Sequence, residues 1–220
     1  LGIKNVTPSG RLDLNEIRHV SDSEFPKWTR RVLPQENDIV FSYEATLHRY
    51  GLIPKGFIGC LGRRMALIRP DLNKVVPRFL HYYLLSPAWK ATVSSNIVSG
   101  ATVDRIPLKR FPEFTLQLPP LLYQTSIVDV LATYDDLIEN NKRRIQLLEE
   151  SARLLYKEWF VHLRFPGYKH AKIKDGVPKG WERKPLQNFC FDVKKSEDPR
   201  KLPVNTPYIG LEHLPRRSIT

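Results

Sequence analysis

The chain has 220 residues and a formal net charge of +12, with 35 Lys and Arg against 23 Asp and Glu. Its residues are 41% hydrophobic and 10% aromatic, which suffices for a buried core and excludes wholesale disorder. No apolar run could span a bilayer and no secretory leader is visible, so we expect a soluble, cytoplasmic protein. Cys60 and Cys190 are too isolated for a disulfide framework or a zinc site, so we expect them to be plain small hydrophobic residues or surface thiols.

The basic charge is unevenly distributed. Pro119-Pro120 and Phe165-Pro166-Gly167 divide the chain into three segments. Residues 1–118 carry 17 Lys and Arg and 10 Asp and Glu, a net charge of +7. Residues 119–165 carry 6 and 7, a net of −1, and residues 166–220 carry 12 and 6, a net of +6. This pattern favours two parts that face nucleic acid, joined by a spacer; merely solvated surface lysines are the alternative.

The first segment has the pattern of a mixed α/β domain with a bias towards strands. A stretch rich in aromatic residues at 77–90 predicts a short helix. Short apolar runs, β-branched or interrupted by glycine, predict four strands, at residues 38–43, 56–62, 65–68 and 111–118.

The middle segment predicts one long helix with a coiled-coil seam. Seam residues recur at alternating steps of four and three over more than four heptads. They are Ile127, Leu131, Tyr134, Ile138, Asn141, Ile145, Leu148, Ala152, Leu155 and Trp159. Pro119-Pro120 suits the start and Phe165-Pro166-Gly167 the stop, and about 40 residues give a length of roughly 60 Å. Such a seam needs a second helix beside it, and Asn141 on the seam would fix the register of the two helices.

The third segment has too little apolar sequence for a core of its own. Trp181, Leu186 and Phe189 precede a charged stretch at 194–198. We therefore interpret residues 166–220 as the opening of a second domain.

Motifs of the common enzyme classes are missing from the sequence. It has no phosphate-binding glycine loop, no dinucleotide fingerprint, no nucleophile elbow and no histidine pair at metal-ligand spacing. One looser set remains as an alternative, because Asp38, Glu44 and Lys55 could hold a metal ion and polarise a phosphate in a metal-dependent nuclease.

A series of motifs lies in and around the middle segment, at residues 116–124, 135–141, 145–149, 154–161, 164–167 and 177–181. These motifs resemble one protein family, the specificity subunits of type I restriction–modification systems. Together they cover 116–181 firmly, and the strand-like motifs at 38–42 and 100–103 match more loosely.

The resemblance implies an α+β fold with an internal repeat, in which two target-recognition domains are each followed by a long helix. Residues 1–118 would then be a first recognition domain without its N-terminal part, and 119–165 the conserved spacer helix. Residues 166–220 would begin a second, truncated recognition domain. Residues 1–6 can be laid against 209–214 with apolar positions kept, as such a repeat requires. The second helix, which in the family packs antiparallel on the first, would be missing from this fragment.

The same resemblance implies a non-catalytic subunit that reads a bipartite site on double-stranded DNA. It would dock methyltransferase and restriction subunits, which use S-adenosylmethionine, ATP and Mg; the chain itself would hold no cofactor and no metal. Our first candidates for DNA contact lie on turns or strand ends: Arg30, Arg31, Arg49, Arg63 and Arg64. A solvated surface role is the alternative for each, and Tyr43 and His48 are weaker candidates.

One further function fits the seam and the basic segments. A homodimeric coiled-coil DNA-binding regulator would associate with itself through the seam. A second domain-and-helix repeat in the full-length protein would favour the specificity subunit instead.

Overall fold

The computed structural model of the protein describes residues 1–99, 103–174, 176–194 and 196–213, and it combines helices with small antiparallel sheets. The predicted α+β class is confirmed. The chain forms two compact units, Leu1–Asp136 and Leu137–Thr220. The helices are α1 (Phe25–Thr29), α2 (Pro77–Leu85), α3 (Pro87–Ser94) and α4 (Leu121–Tyr156). The strands are β1 (Ile39–Ser42), β2 (Tyr50–Leu52), β3 (Met65–Ile68), β4 (Val98–Ser99), β5 (Asp104–Arg105), β6 (Ile173–Lys174) and β7 (Val177–Pro178).

Short helical turns connect these elements. The 3-10 turns are Ile3–Asn5, Phe111–Glu113, Tyr168–His170, Leu186–Asn188, Pro199–Lys201 and Leu211–His213. A π-helical turn, Lys157–Val161, follows α4 directly.

The central sheet of the first unit is antiparallel, in the order β2-β1-β3. All four residues of β1 are buried, which explains why residues 39–41 form a continuous apolar run. Ile39 and Phe41 belong to one core cluster and Val40 to another, because successive side chains of a strand point to opposite faces. The strands predicted at 38–43 and 65–68 are confirmed, while the short strand β2 had not been predicted.

Helices α2 and α3 build the larger core cluster together with β1 and β2. The sequence had predicted one helix over 77–90, but the chain turns at Ser86. Pro87 disfavours the helical conformation of the residue before it, and Ser86 is extended, with ψ 156°. The Ser86 hydroxyl then accepts a hydrogen bond from the Trp89 amide at 3.2 Å and caps α3.

Two predicted strands are wrong. Residues 56–62 form turns and irregular chain, and Gly56 has φ +77°. Residues 111–118 form the turn Phe111–Glu113 and then an extended segment without a ladder. The rings of Phe111 and Phe114 both pack on Trp89, with centroids 6.0 and 6.2 Å away, so this segment follows a helical rather than a strand period. Of the loosely matching motif at 100–103, residues 100–102 lie outside the described residues.

Helix α4 confirms the long helix predicted from the seam. Its first turn is closed by the Pro120 carbonyl, which accepts hydrogen bonds from the amides of Tyr123 and Gln124 at 2.9 and 3.2 Å. Its 36 residues give a length of about 54 Å.

A buried amide fixes the start of this helix in the first unit. Gln124 is 1% exposed, and its Oε1 accepts a hydrogen bond from the Val76 amide at 2.8 Å. Its Nε2 donates to the Pro119 carbonyl at 2.8 Å. Further along, the Tyr82 hydroxyl donates to Asp135 at 2.5 Å, so α2 also binds α4.

In the second unit an aromatic cluster closes the end of the long helix. The Trp181 ring lies 6.0 Å from Phe160 and 5.6 Å from Phe165, measured between centroids. Strands β6 and β7 form a short hairpin. Among the described residues after 165, Pro178 alone is buried. This fits the prediction of too little apolar sequence for a core, while the domain boundaries at 118 and 165 stay predictions.

Candidate nucleic-acid interface

A basic cavity opens on the first unit, between α1, the end of β1 and the turn before β3. Its volume is about 580 Å³. Five cationic side chains line it, from Lys27, Arg30, Arg31, Arg63 and Arg64. Glu44 is the one carboxylate among its lining residues. The surplus of positive charge makes this wall attractive to a phosphate backbone.

Aromatic side chains accompany the cations. Trp28 of α1 is partly exposed and lines the cavity beside Lys27. Tyr43 lines it as well, and it also packs against the larger core cluster, so its ring serves both the core and the surface. Aromatic rings next to Lys and Arg suit contacts to sugars and base faces.

The turn that carries Arg63 and Arg64 is fixed by the central sheet. Ser42 pairs with Met65 in the β1–β3 ladder, and the Tyr43 amide donates to the Arg64 carbonyl at 3.1 Å. Arg64 itself adopts φ +67°, in the left-handed region that is unfavourable for a residue with a side chain. The hydrogen bond holds this conformation, so the sheet fixes the backbone position from which the Arg64 side chain extends.

Tyr43 and Glu44 form a ridge with a second basic cavity behind it. This second cavity has a volume of about 450 Å³ and includes Arg105 and Lys109. The ridge is tied to that side by hydrogen bonds from the Ile106 amide to the Tyr43 carbonyl, 2.8 Å, and from the Ala45 amide to the Asp104 carbonyl, 3.2 Å. Positive side chains therefore lie on both sides of Tyr43 and Glu44.

Four of the five arginines that the sequence proposed come together. Arg30, Arg31, Arg63 and Arg64 are exposed and line the same cavity. Arg49 does not join them, because it is half-buried and its Nη1 donates to the Val6 carbonyl at 3.4 Å. The DNA-contact role of all five stays a prediction.

His48, a weaker candidate, lies on the loop between β1 and β2 with φ +61°. In the described part of the chain its Nδ1 is buried without a hydrogen-bond partner. Burial, and then the charge of Lys90, lower the pKa of His48. A neutral ring at this position contributes no charge to phosphate binding.

Sequence reasoning missed Lys27, Trp28, Arg105 and Lys109. The segment from Lys27 to Arg31 mixes cations with an aromatic residue, and this local signal could have added Lys27 and Trp28. No local signal links them to Arg105 and Lys109, because only the folded sheet places residues 43–44 next to 104–106.

The three residues considered for a nuclease do not form a common site. Asp38 is 1% exposed, and Arg69 donates to its Oδ1 from Nε at 2.8 Å and to its Oδ2 from Nη2 at 2.7 Å. The Gln35 amide also donates to Oδ2, at 2.7 Å. Glu44 is paired with Arg64, and Lys55 is exposed. No group of three His, Cys, Asp or Glu within the described ranges could hold a metal ion.

The seam of α4 presents a second surface. All ten seam residues, from Ile127 to Trp159, are exposed in this chain. Their role in binding a partner helix stays a prediction. In the part of the chain that the structure describes, we find no helix with the length and apolar character needed to cross a membrane.

Comparison with known proteins supports the resemblance seen in the sequence. The sequence profile described as "Type I restriction modification DNA specificity domain" matches residues 9–150, which is more than half of the chain. The type I restriction enzyme MjaIX specificity subunit of Methanocaldococcus jannaschii is 29% identical over 150 residues, covering 64% of this chain and 34% of that protein. The EcoBI specificity subunit of Escherichia coli is 30% identical over 135 residues, covering 59% and 28%.

A solved structure agrees at the level of the fold. The HsdS subunit from Thermoanaerobacter tengcongensis aligns with a TM-score of 0.50 at 17% identity, covering 80% of this chain and 44% of that one. The chain spans about a third of the length of the curated relatives that it matches. Because the matching profile covers residues 9–150 of 220, the chain belongs to the type I restriction–modification DNA specificity domain family.

Proposed function

We propose that this chain is the DNA-reading part of a type I restriction–modification specificity subunit. The observation that carries the proposal is the cavity with five cationic side chains on the unit that the family profile covers. Lysine and arginine at its rim would neutralise phosphates and position the domain. Side chains deeper in the wall would then meet base edges in a groove.

Within this proposal the chain contributes recognition and leaves the chemistry to other subunits. Partner subunits would methylate adenine with S-adenosylmethionine, or translocate and cleave DNA with ATP and Mg. The complex would act in the cytoplasm, on double-stranded DNA.

The long helix fits a spacer. Its length of about 54 Å exceeds one turn of B-DNA, about 34–36 Å, so two half-sites could be read across an unread gap. The exposed seam would be covered by a second long helix of the full-length protein, on which the methyltransferase subunits dock. Self-association through the same seam is the competing arrangement, and it would suit a homodimeric regulator.

A paired-arginine substitution tests the DNA-binding surface. Because each lost phosphate contact lowers the salt dependence of binding, Arg30→Ala with Arg31→Ala should reduce the slope of log K against log salt by about 1 to 2. The affinity of the full-length complex should fall for all duplexes alike. The measurement is a fluorescence-anisotropy titration over a range of salt concentrations.

The matched control removes the same charge elsewhere. Arg143 and Arg144 are also adjacent and exposed, but they lie on α4. Arg143→Ala with Arg144→Ala should leave the salt slope near that of the wild type. Equal effects of the two pairs, or no effect of the first, would refute the proposal.

A further inference from the structure

The single carboxylate that lines the basic cavity forms an ion pair with one of the cavity's arginines. Glu44 Oε1 lies 3.3 Å from Arg64 Nε. The Glu44 side chain is 27% exposed and that of Arg64 is 51% exposed, so both reach the cavity surface. An acidic side chain weakens attraction to phosphate, so a role in backbone binding does not account for Glu44.

The pair is held by backbone from both sides. Arg64 is fixed at φ +67° by the hydrogen bond from Tyr43, directly before Glu44. Ala45, directly after Glu44, has φ +68° and donates to the Asp104 carbonyl at 3.2 Å. Two left-handed residues with side chains are costly in such a short region, and strain of this kind is found where a fold has to aim particular groups.

The donor and acceptor pattern of the pair matches one kind of base pair. The ion pair uses Nε of Arg64, and neither Nη group has a hydrogen-bond partner among the residues that the structure describes. In the major groove guanine presents two acceptors, O6 and N7, and cytosine presents the N4 amino donor. Arginine suits the first edge and a carboxylate suits the second. Thymine would instead present an acceptor to the carboxylate.

We propose that Arg64 and Glu44 together read one G·C base pair of the target, Arg64 donating to guanine O6 and N7 and Glu44 accepting from cytosine N4. This assignment rests on the proposed DNA-recognition function and names the base pair that this part of the site selects. Arg63, beside Arg64 on the same turn, contacts phosphate and selects no base.

The test uses the full-length subunit assembled with its methyltransferase partner. Selection from a pool of random duplexes first gives the recognised sequence. Each guanine of that sequence is then replaced, one at a time, by 7-deazaguanine, which lacks the N7 acceptor. The wild type should lose about tenfold or more in affinity at one of these positions. Arg64→Ala should lose nothing further at that position and should keep the other preferences.

Three more variants separate base reading from charge and from folding. Arg64→Lys keeps the charge but not the two-point geometry, so it should also lose the guanine preference. Glu44→Gln should tolerate other bases in place of the cytosine, at the same base pair only. Arg63→Ala, the matched control, should weaken all duplexes equally. Thermal unfolding of each variant checks that unit 1 is intact.

The outcomes distinguish the two proposals. A wild type that selects no sequence would overturn the proposed function itself. The base assignment alone would be overturned if the wild type selects a sequence but Arg64→Ala and Arg64→Lys still lose as much affinity as the wild type at every 7-deazaguanine position. The same holds if the selected sequence has no G·C pair at which Arg64 and Glu44 variants relax together.

Discussion

Three polar side chains inside the core hold the first unit together at the scale of single residues. The Trp89 indole Nε1 donates to the Tyr50 hydroxyl at 2.9 Å, and both side chains are buried. His81 Nε2 lies 3.0 Å from the Gly10 carbonyl and 3.1 Å from the Tyr50 carbonyl. Burial lowers the pKa of His81, so the neutral ring shares its Nε2 proton between two carbonyls.

Gly10 is required by the same cluster. It has φ +82°, and a Cβ there would lie 2.7 Å from His81 Nε2 and 2.6 Å from Leu85 Cδ1. Any side chain at this position would displace the histidine from its carbonyls.

The ionisation of Tyr50 makes stability depend on alkaline pH. Burial raises the pKa of Tyr50 to about 12, against a smaller opposing effect of the hydrogen bond from Trp89. The unfolded tyrosine has a pKa of about 10. Because the folded pKa is the higher one, the contribution is complete below about pH 10 and is lost as the pH rises towards 12.

Urea unfolding at pH 9 and pH 11.5 measures this loss. The wild type should lose about 2 kcal/mol more between these pH values than Tyr50→Phe, which has no ionising hydroxyl. Tyr50→Phe should itself be less stable at pH 9, since Trp89 Nε1 loses its acceptor. Equal losses in the two proteins would show that Tyr50 does not carry the effect.

Asp38 shows what residue-level sequence reasoning could not decide. A carboxylate beside a strand, with Glu44 and Lys55 nearby in sequence, fits a metal site as well as a structural pair. Arg69 lies 31 positions further on, and only the β1–β3 register, with Ile39 opposite Ile68, brings it to Asp38. The local sequence around Asp38 therefore could not reveal that Arg69 is its partner.

Among the elements, the long helix carries the assembly prediction. Leu148 is 68% exposed in this chain, and burying a leucine against the second long helix would stabilise the helix pair by roughly 1.5–3 kcal/mol. Because the methyltransferase subunit is proposed to dock on that second helix, Leu148→Asp should weaken its docking by about tenfold or more, without unfolding the first unit. A pull-down titration of the full-length chain measures the first effect, and near-ultraviolet circular dichroism of the buried tryptophan the second.

The control for that variant is Gln146→Asp. It adds the same charge to α4, two residues away and off the seam, at another exposed position. It should dock like the wild type. If both variants dock normally, the seam does not carry the assembly.

Elements were predictable where one strong signal decided them. The heptad seam identified α4 and the apolar runs identified β1 and β3, because an apolar stripe at heptad spacing and a continuous apolar run are both visible directly in the sequence. Residues 56–62 and 111–118 failed because glycine, or aromatic residues three apart, looked like strand signals. The conformation of residues 111–118 depends on packing against Trp89, which lies far away in sequence. Phe57 and Leu61 instead pack against the other core cluster, which contains Val6 and Val40.

At the scale of the whole molecule, the sequence also indicated an internal correspondence. In the turns Ile3–Asn5 and Leu211–His213, the amide of the preceding glycine donates to the side chain of the third residue. These bonds run from Gly2 to Asn5 Oδ1 at 2.9 Å and from Gly210 to His213 Nδ1 at 3.0 Å. The local structures therefore match where the alignment of 1–6 with 209–214 placed them. Leu214 lies outside the described residues.

The basic surface arises at this scale too. Arg30 and Arg31, Arg63 and Arg64, and Arg105 with Lys109 come from three distant parts of the chain. Net charge and segment charges predicted that the first 118 residues face an anionic partner, but the grouping of four arginines around one cavity required the sheet register. The outlying position of Arg49 could not be predicted from its place on a turn.

Hydrogen exchange of the full-length complex, with and without its target duplex, tests the central claim most directly. If the basic cavity is the DNA-reading surface, amides in segments 27–31 and 61–65 should gain protection when the target is added, and a duplex of unrelated sequence should protect them less. Protection confined to other parts of the first unit, with these two segments unchanged, would contradict the account.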